Sequence, residues 1–113
     1  MTLQSKKYLD DILYAIELIE TFVSGISVFA EYENDKKTCS AVERQLGIIG
    51  EAVNRFDKIN QDKPLENTSQ IIGLLNRIIH AYDSVNNEVI WAVIKKHLPV
   101  LKIEVSEKLE KSK

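Results

Sequence analysis

Apolar side chains recur at every third or fourth position along nearly the whole chain, which restricts it to helical folds. In the first stretch they follow one helix face: Leu9, Ile12, Leu13, Ile16, Ile19 and Val23. A helix with such a stripe buries one side against its neighbours, so the pattern predicts an amphipathic helix from about Ser5 to Ser24. No pair of credible strands can be found. The sequence therefore predicts an all-α protein.

A second helix is predicted between Asp35, a favourable cap residue, and about Ile59. Its apolar residues alternate by four and three, as in a coiled-coil seam: Val42, Leu46, Ile49, Val53 and Phe56. A second row lies beside the first: Ala41, Gln45, Ile48 and Ala52. Two rows give the helix two usable faces, so we expect packing within the subunit and against another subunit. Gly47 and Gly50, which weaken a helix, predict close backbone approach.

The rest of the chain completes an up-and-down bundle of four to five helices. Residues 26–34 and 60–66 are predicted to be connections. A third helix, capped by Asn67, Thr68 or Ser69, is expected to carry His80 and to end at the turn-prone residues 83–84 and 86–87. A fourth helix is predicted around residues 89–94. A fifth is predicted from Pro99, with these side chains facing inward: Leu101, Val105 and Leu109.

Length and composition predict one soluble domain covering residues 1–113, with a frayed tail at 110–113. The chain has 113 residues, of which 44% are hydrophobic and 28% charged. Cys39 is the only cysteine, so we interpret it as structural or incidental and expect a reducing compartment. The sequence contains neither a signal peptide nor the roughly 20 apolar residues that span a bilayer. We therefore expect a cytoplasmic protein with no membrane association.

Charge is distributed unevenly along the chain. Residues 1–76 carry 8 Lys or Arg against 12 Asp or Glu, whereas residues 77–113 carry 7 against 5. A basic surface could therefore bind a short stretch of phosphate backbone; its candidate residues are Arg77, Lys95, Lys96 and Lys102. Charge alone favours a solvated helix face over such a binding surface.

Polar chemistry is concentrated between Asn76 and Asp83, inside an otherwise apolar helical run. A histidine can move protons near neutral pH, and an arginine can hold a phosphate through its planar fork of donors. On an α-helix, Asn76 and Arg77 share a face with His80. A lone histidine at a helix end is more often an ordinary polar residue. The two histidines and the cysteine lack the spacing of a zinc site, and we expect no metal or other cofactor.

Two blocks of sequence resemble the HepT-like branch of the HEPN superfamily. They are AVERQLGIIGEA at 41–52 and IGLLNRIIHAYDSV at 72–85, followed by Trp91. The resemblance implies an all-α homodimer, encoded beside a minimal nucleotidyltransferase antitoxin as a toxin–antitoxin pair. It also implies a metal-independent endoribonuclease whose active site lies in the cleft between two subunits. The family signature is an Arg, four residues, a His, one residue and a Tyr that accepts AMP from the partner enzyme.

By this resemblance the His is His80, the catalytic acid or base, and the Tyr is Tyr82, the regulatory AMP acceptor. The Arg does not carry over, because Leu75 stands five residues before His80. Asn76 is present as a supporting polar residue, and Arg77 is the candidate phosphate ligand. Around a helix, residue 75 lies about 140° from residue 80, whereas residue 77 lies about 60° from it. Arg77 therefore approaches the site from another direction.

Three hypotheses follow for the function. The first is a ribonuclease toxin subunit that binds and cleaves RNA, using His80 and Arg77. The second is a catalytically impaired binding module, with Leu75 in place of the family Arg, that binds a nucleotidyltransferase or a nucleotide. The third is a purely structural helical dimer. An adjacent nucleotidyltransferase gene would favour the first two over the third.

Overall fold

The computed structural model describes residues 1–80 and 86–113, without the side chains of residues 75 and 77–80. Regular structure in these ranges is entirely helical. The helices are α1 Leu3–Phe22, α2 Phe29–Asn34, α3 Lys36–Ile59, α4 Ser69–His80, α5 Asn87–Ala92 and α6 Leu98–Lys111, with a π-helical turn at Val93–His97. The all-α prediction is confirmed.

The first two long helices begin where side chains satisfy their free amide groups. The hydroxyl of Thr2 accepts a hydrogen bond from the Ser5 amide at 3.0 Å, so α1 begins two residues earlier than predicted. The Asp35 carboxylate accepts from the Thr38 amide at 3.1 Å and caps α3 as predicted. Capping residues therefore set these boundaries, and apolar periodicity sets the helices between them.

Residues 26–34 were predicted to be a connection without a helix. This prediction was wrong, because the short helix α2 lies within them. Six residues are too few to show a helical period, but tertiary contacts stabilise this turn. Tyr32 is fully buried, and its ring stacks on Trp91 of α5 with centroids 5.3 Å apart. The Glu31 carboxylate also accepts from the amides of Ser27 and Val28, at 3.2 and 3.3 Å.

The seam of α3 forms the centre of the core. Its five predicted residues are all at most 2% exposed: Val42, Leu46, Ile49, Val53 and Phe56. Helix α3 packs on α1, α2 and α4, while α1 also packs on α6. Gly47 does not support the predicted close approach: a methyl group built there meets no heavy atom within 4 Å in the described part of the subunit. Gly50 is buried.

The predicted fourth and fifth helices form one nearly continuous rod. Pro99 lies in the first turn of α6 as predicted, but the π turn, not a break, joins α6 to α5. Leu101 and Val105 face the core as predicted, and Leu109 is partly buried against it. None of the described helices is both long enough and apolar enough to span a membrane.

Asp35 should make the stability of the protein vary with pH in the acidic range. The hydroxyl and amide of Thr38 both donate to its carboxylate, which lowers the pKa of Asp35 below its ordinary value. This stabilisation is present above the ordinary pKa of about 3.9 and is lost as the pH falls through the lower folded-state value. Asp35→Ala should therefore lower the melting temperature at pH 7, and the difference from wild type should shrink near pH 3. Asp62→Ala, in an exposed loop position, is the matched control, and a pH-independent difference for Asp35→Ala would contradict the prediction.

Tyr32→Phe should stabilise the protein. The Tyr32 hydroxyl is buried and has no hydrogen-bond partner among the described residues, and burial raises the pKa of Tyr32. Removing an unpaired buried hydroxyl should raise the free energy of unfolding by about 1 kcal/mol, measured by urea denaturation. Tyr14→Phe, at a side chain that is 65% exposed, should have no effect. A loss of stability on Tyr32→Phe would mean that the hydroxyl binds a group outside the described residues.

Candidate functional site

Helix α4 carries the candidate site and is fixed to the core by one face. It begins after Thr68, whose carbonyl oxygen accepts from the Ile72 amide at 2.9 Å. Ile71 and Leu74 are buried, and α4 packs on α3 and on the π turn. The predicted third helix is therefore confirmed over Ser69–His80, and its predicted end at residues 83–84 lies outside the described residues.

The other face of α4 is open in the isolated subunit. Gln70, Gly73 and Asn76 are exposed at spacings of three. Around the helix axis, position 80 lies about 40° from position 76 and about 60° from position 77. The backbone thus brings the three predicted positions together on one arc of about 100° at the last turn of α4.

The side chains of Arg77 and His80 lie outside the described part of the structure, and so does the whole of Tyr82. The described chain resumes at Asn86. The Asn86 side chain accepts from the Glu88 amide at 2.7 Å and caps α5. The site can therefore be placed by the backbone of α4, while the contacts of its reactive groups stay predictions.

Two lysines of the predicted basic surface contact other residues of the subunit. Lys102 pairs with Glu20 of α1 at 2.9 Å, while Lys95 lies over the ring of Trp91, 4.5 Å from its centroid. The Lys96 side chain is exposed. Phosphate binding by this set of residues stays a prediction.

Other polar side chains with clear structural roles had no signal in the sequence. Glu104 of α6 and Asp57 of α3 both accept hydrogen bonds from the loop that precedes α4. Burial raises the pKa of Asp57, and the charge of Glu104 adds to that effect. Glu104 and Asn67 are 37 positions apart in the sequence, and local periodicity cannot predict a contact between such distant residues. They hold the beginning of the helix that carries the candidate site.

Cys39 is buried, and its thiol donates to the carbonyl oxygen of Tyr32 at 3.3 Å. Burial also raises the pKa of the Cys39 thiol, which disfavours the reactive thiolate. Its interpretation as a structural residue agrees with this environment. Within residues 1–80 and 86–113, no three His, Cys, Asp or Glu side chains converge in the way that metal ligands do.

Comparison with known proteins supports the resemblance noted in the sequence. The family model described as "Ribonuclease HepT-like" matches residues 12–107. A Thermococcus cleftensis protein named "Probable ribonuclease HepT" is 41% identical over 110 residues, covering 94% of this chain and 96% of the relative. A protein of Caldanaerobacter subterraneus subsp. tengcongensis, provisionally named as an RNase, is 37% identical over 109 residues, covering 96% of each chain.

No solved structure gives a significant match to the chain. The family assignment therefore depends on sequence, and the all-helical structure is compatible with it. The matched residues, 12–107, begin in the middle of α1 and extend through most of α6. Together these matches show that the chain belongs to the HepT-like ribonuclease family.

Proposed function

We propose that this protein is a metal-independent endoribonuclease that acts as a homodimer in the cytoplasm. His80 is its acid or base, Arg77 binds the scissile phosphate, and Asn76 supports them. The observation that supports this proposal most is the match to the HepT-like ribonuclease family, and on helix α4 positions 76, 77 and 80 fall within an arc of about 100°.

The chemistry needs few residues. Cleaving RNA without a metal requires a base to activate the 2′-hydroxyl, an acid to protonate the leaving 5′-oxygen, and positive charge beside the phosphate in the transition state. One histidine cannot accept and donate a proton at the same time. In the proposed dimer the His80 side chains of both subunits face one cleft, so that one acts as the base and the other as the acid.

The open face of α4 supports a site between subunits. Gln70, Gly73 and Asn76 are exposed in the isolated chain, and Gly73 would allow another backbone or a substrate strand to approach closely. A methyl group built on Gly73 meets no heavy atom within 4 Å among the described residues of this subunit. A cleft built on this face would give RNA access to the last turn of α4.

A second candidate function is favoured by Leu75. This residue stands where the family signature has its Arg, and leucine can neither bind phosphate nor stabilise charge. Loss of one preorganised donor typically lowers a rate by about 10²- to 10³-fold. The alternative is therefore a catalytically impaired module that binds a nucleotidyltransferase or a nucleotide through the same cleft.

The proposal includes regulation by a partner enzyme. In this account a minimal nucleotidyltransferase, the antitoxin of the pair, transfers AMP to the hydroxyl of Tyr82. One residue, Ala81, separates Tyr82 from His80 along the chain, so the adenylate would lie beside the proposed cleft. Its bulk and negative charge would exclude an RNA phosphate from the same place.

His80→Ala should abolish RNA cleavage by the purified protein in EDTA, because no other side chain of the site can transfer the required protons. The measurement is cleavage of a mixed RNA pool, followed on a gel. His97→Ala is the matched control, because His97 is the other histidine of the chain. It lines a cavity with Ser69 and Gln70 at the beginning of α4, away from His80. This control should leave cleavage unchanged.

Arg77→Ala in the same assay should lower the rate by about 10²- to 10³-fold. Cleavage that survives both His80→Ala and Arg77→Ala would refute the assignment of the site. A clean wild-type protein that cleaves no RNA would instead support the binding-module alternative.

Tyr82→Phe should abolish AMP transfer to this protein. Incubation with ATP and the nucleotidyltransferase should add the mass of an adenylate to the wild-type chain, measured by intact-protein mass spectrometry. Tyr14→Phe is the matched control, because Tyr14 is the tyrosine with a largely exposed side chain in the described part of the protein. Modification of the Tyr82→Phe chain to the wild-type extent would refute the assignment of Tyr82.

A further inference from the structure

Glu104 of α6 binds the loop before α4 through three hydrogen bonds. One carboxylate oxygen accepts from the Glu66 amide at 2.9 Å, and the other accepts from the Asn67 amide at 3.1 Å and from its side-chain nitrogen at 3.0 Å. Each bond has a charged acceptor, which makes it stronger than a bond between neutral groups. Glu66 and Asn67 directly precede Thr68, and α4 begins at the next residue, Ser69.

We infer that Glu104 is a positioning residue for the proposed active site: it fixes the beginning of α4 and thereby sets where the last turn, with His80, lies. This inference rests on the function proposed above and deepens it. Glu104 does not touch the reacting atoms. It acts through α4, whose twelve residues run from Ser69 to His80.

Two kinds of contact hold α4. Buried Ile71 and Leu74 turn one face of the helix toward α3. The Glu104 bonds add directional contacts to the residues just before the helix.

A second carboxylate binds the same loop. Asp57 of α3 accepts from the Leu65 amide at 2.9 Å, and the Leu65 side chain is buried. The loop is thus tied both to α3 and to α6 immediately before α4. The negative charge of Glu104 near the first turn also agrees with the positive end of the helix dipole.

A displacement at the beginning of α4 would reach its end. Hydrogen bonds along the backbone make a helix stiff, and His80 lies about 16 Å from Ser69 at 1.5 Å per residue. Misplacement of a catalytic group by about 1 Å can lower a rate by about 100-fold. A side chain on α6 can in this way control chemistry at the far end of α4.

The test compares Glu104→Ala, Glu104→Gln and Glu107→Ala. Glu107 is an exposed glutamate on the same helix and serves as the matched control. The first readout is the NMR signal of each imidazole, assigned with His80→Ala and His97→Ala. His97 borders the loop that Glu104 binds and reports the local change, while His80 reports its transmission along α4.

Glu104→Ala should shift both imidazole signals, and Glu104→Gln, which keeps one acceptor oxygen, should shift them less. In the cleavage assay Glu104→Ala should lower kcat by about 10- to 100-fold with little change in KM, and Glu104→Gln should recover part of the loss. Glu107→Ala should match wild type in both measurements.

A shift at His97 without a shift at His80 would overturn the inference, because the local contact would then be lost without consequence at the site. An unchanged kcat despite a shift at His80 would overturn it as well. A wild-type protein without ribonuclease activity would refute the proposed ribonuclease, whereas the NMR comparison would still decide whether Glu104 positions His80.

Discussion

Burial of the apolar seam of α3 against α1 orders the rest of the described structure, because α2 and α4 also pack on α3 and α6 packs on α1. Burying one large aliphatic or aromatic side chain contributes about 1.5–3 kcal/mol. The seam has five such residues, so its burial contributes on the order of 10 kcal/mol. Helix α4 is thereby placed on a rigid support with its outer face free.

A polar helix end on an apolar support suits the proposed chemistry. The inner face of α4 is held by Ile71 and Leu74, and the loop before it by Glu104 and Asp57. None of these side chains needs to react, so they can be selected for position alone. The residues proposed to react stand at positions 76, 77 and 80, away from the beginning of α4. Under this proposal, positioning and reactivity are assigned to different parts of one short helix.

Sequence patterns predicted the long helices, because periodic apolar residues and capping side chains act locally. They failed where structure depends on distant contacts. Helix α2 is too short for a periodic signal and is held by Tyr32 against Trp91. The pairing of Lys102 with Glu20 joins residues 82 positions apart, so no local pattern could predict it. For the candidate site, residue types and helical spacing predicted one arc on α4, whereas the role of Glu104 required the folded chain. The contacts of His80 and Tyr82 stay predictions.

The central claim is that one active site uses His80 from each of two subunits. The most direct test mixes wild-type and His80→Ala chains in equal amounts, refolds them together and measures RNA cleavage. Random pairing makes about one quarter of the dimers fully wild type, so the account predicts about one quarter of the wild-type activity. Activity near one half, which two independent sites would give, would contradict it.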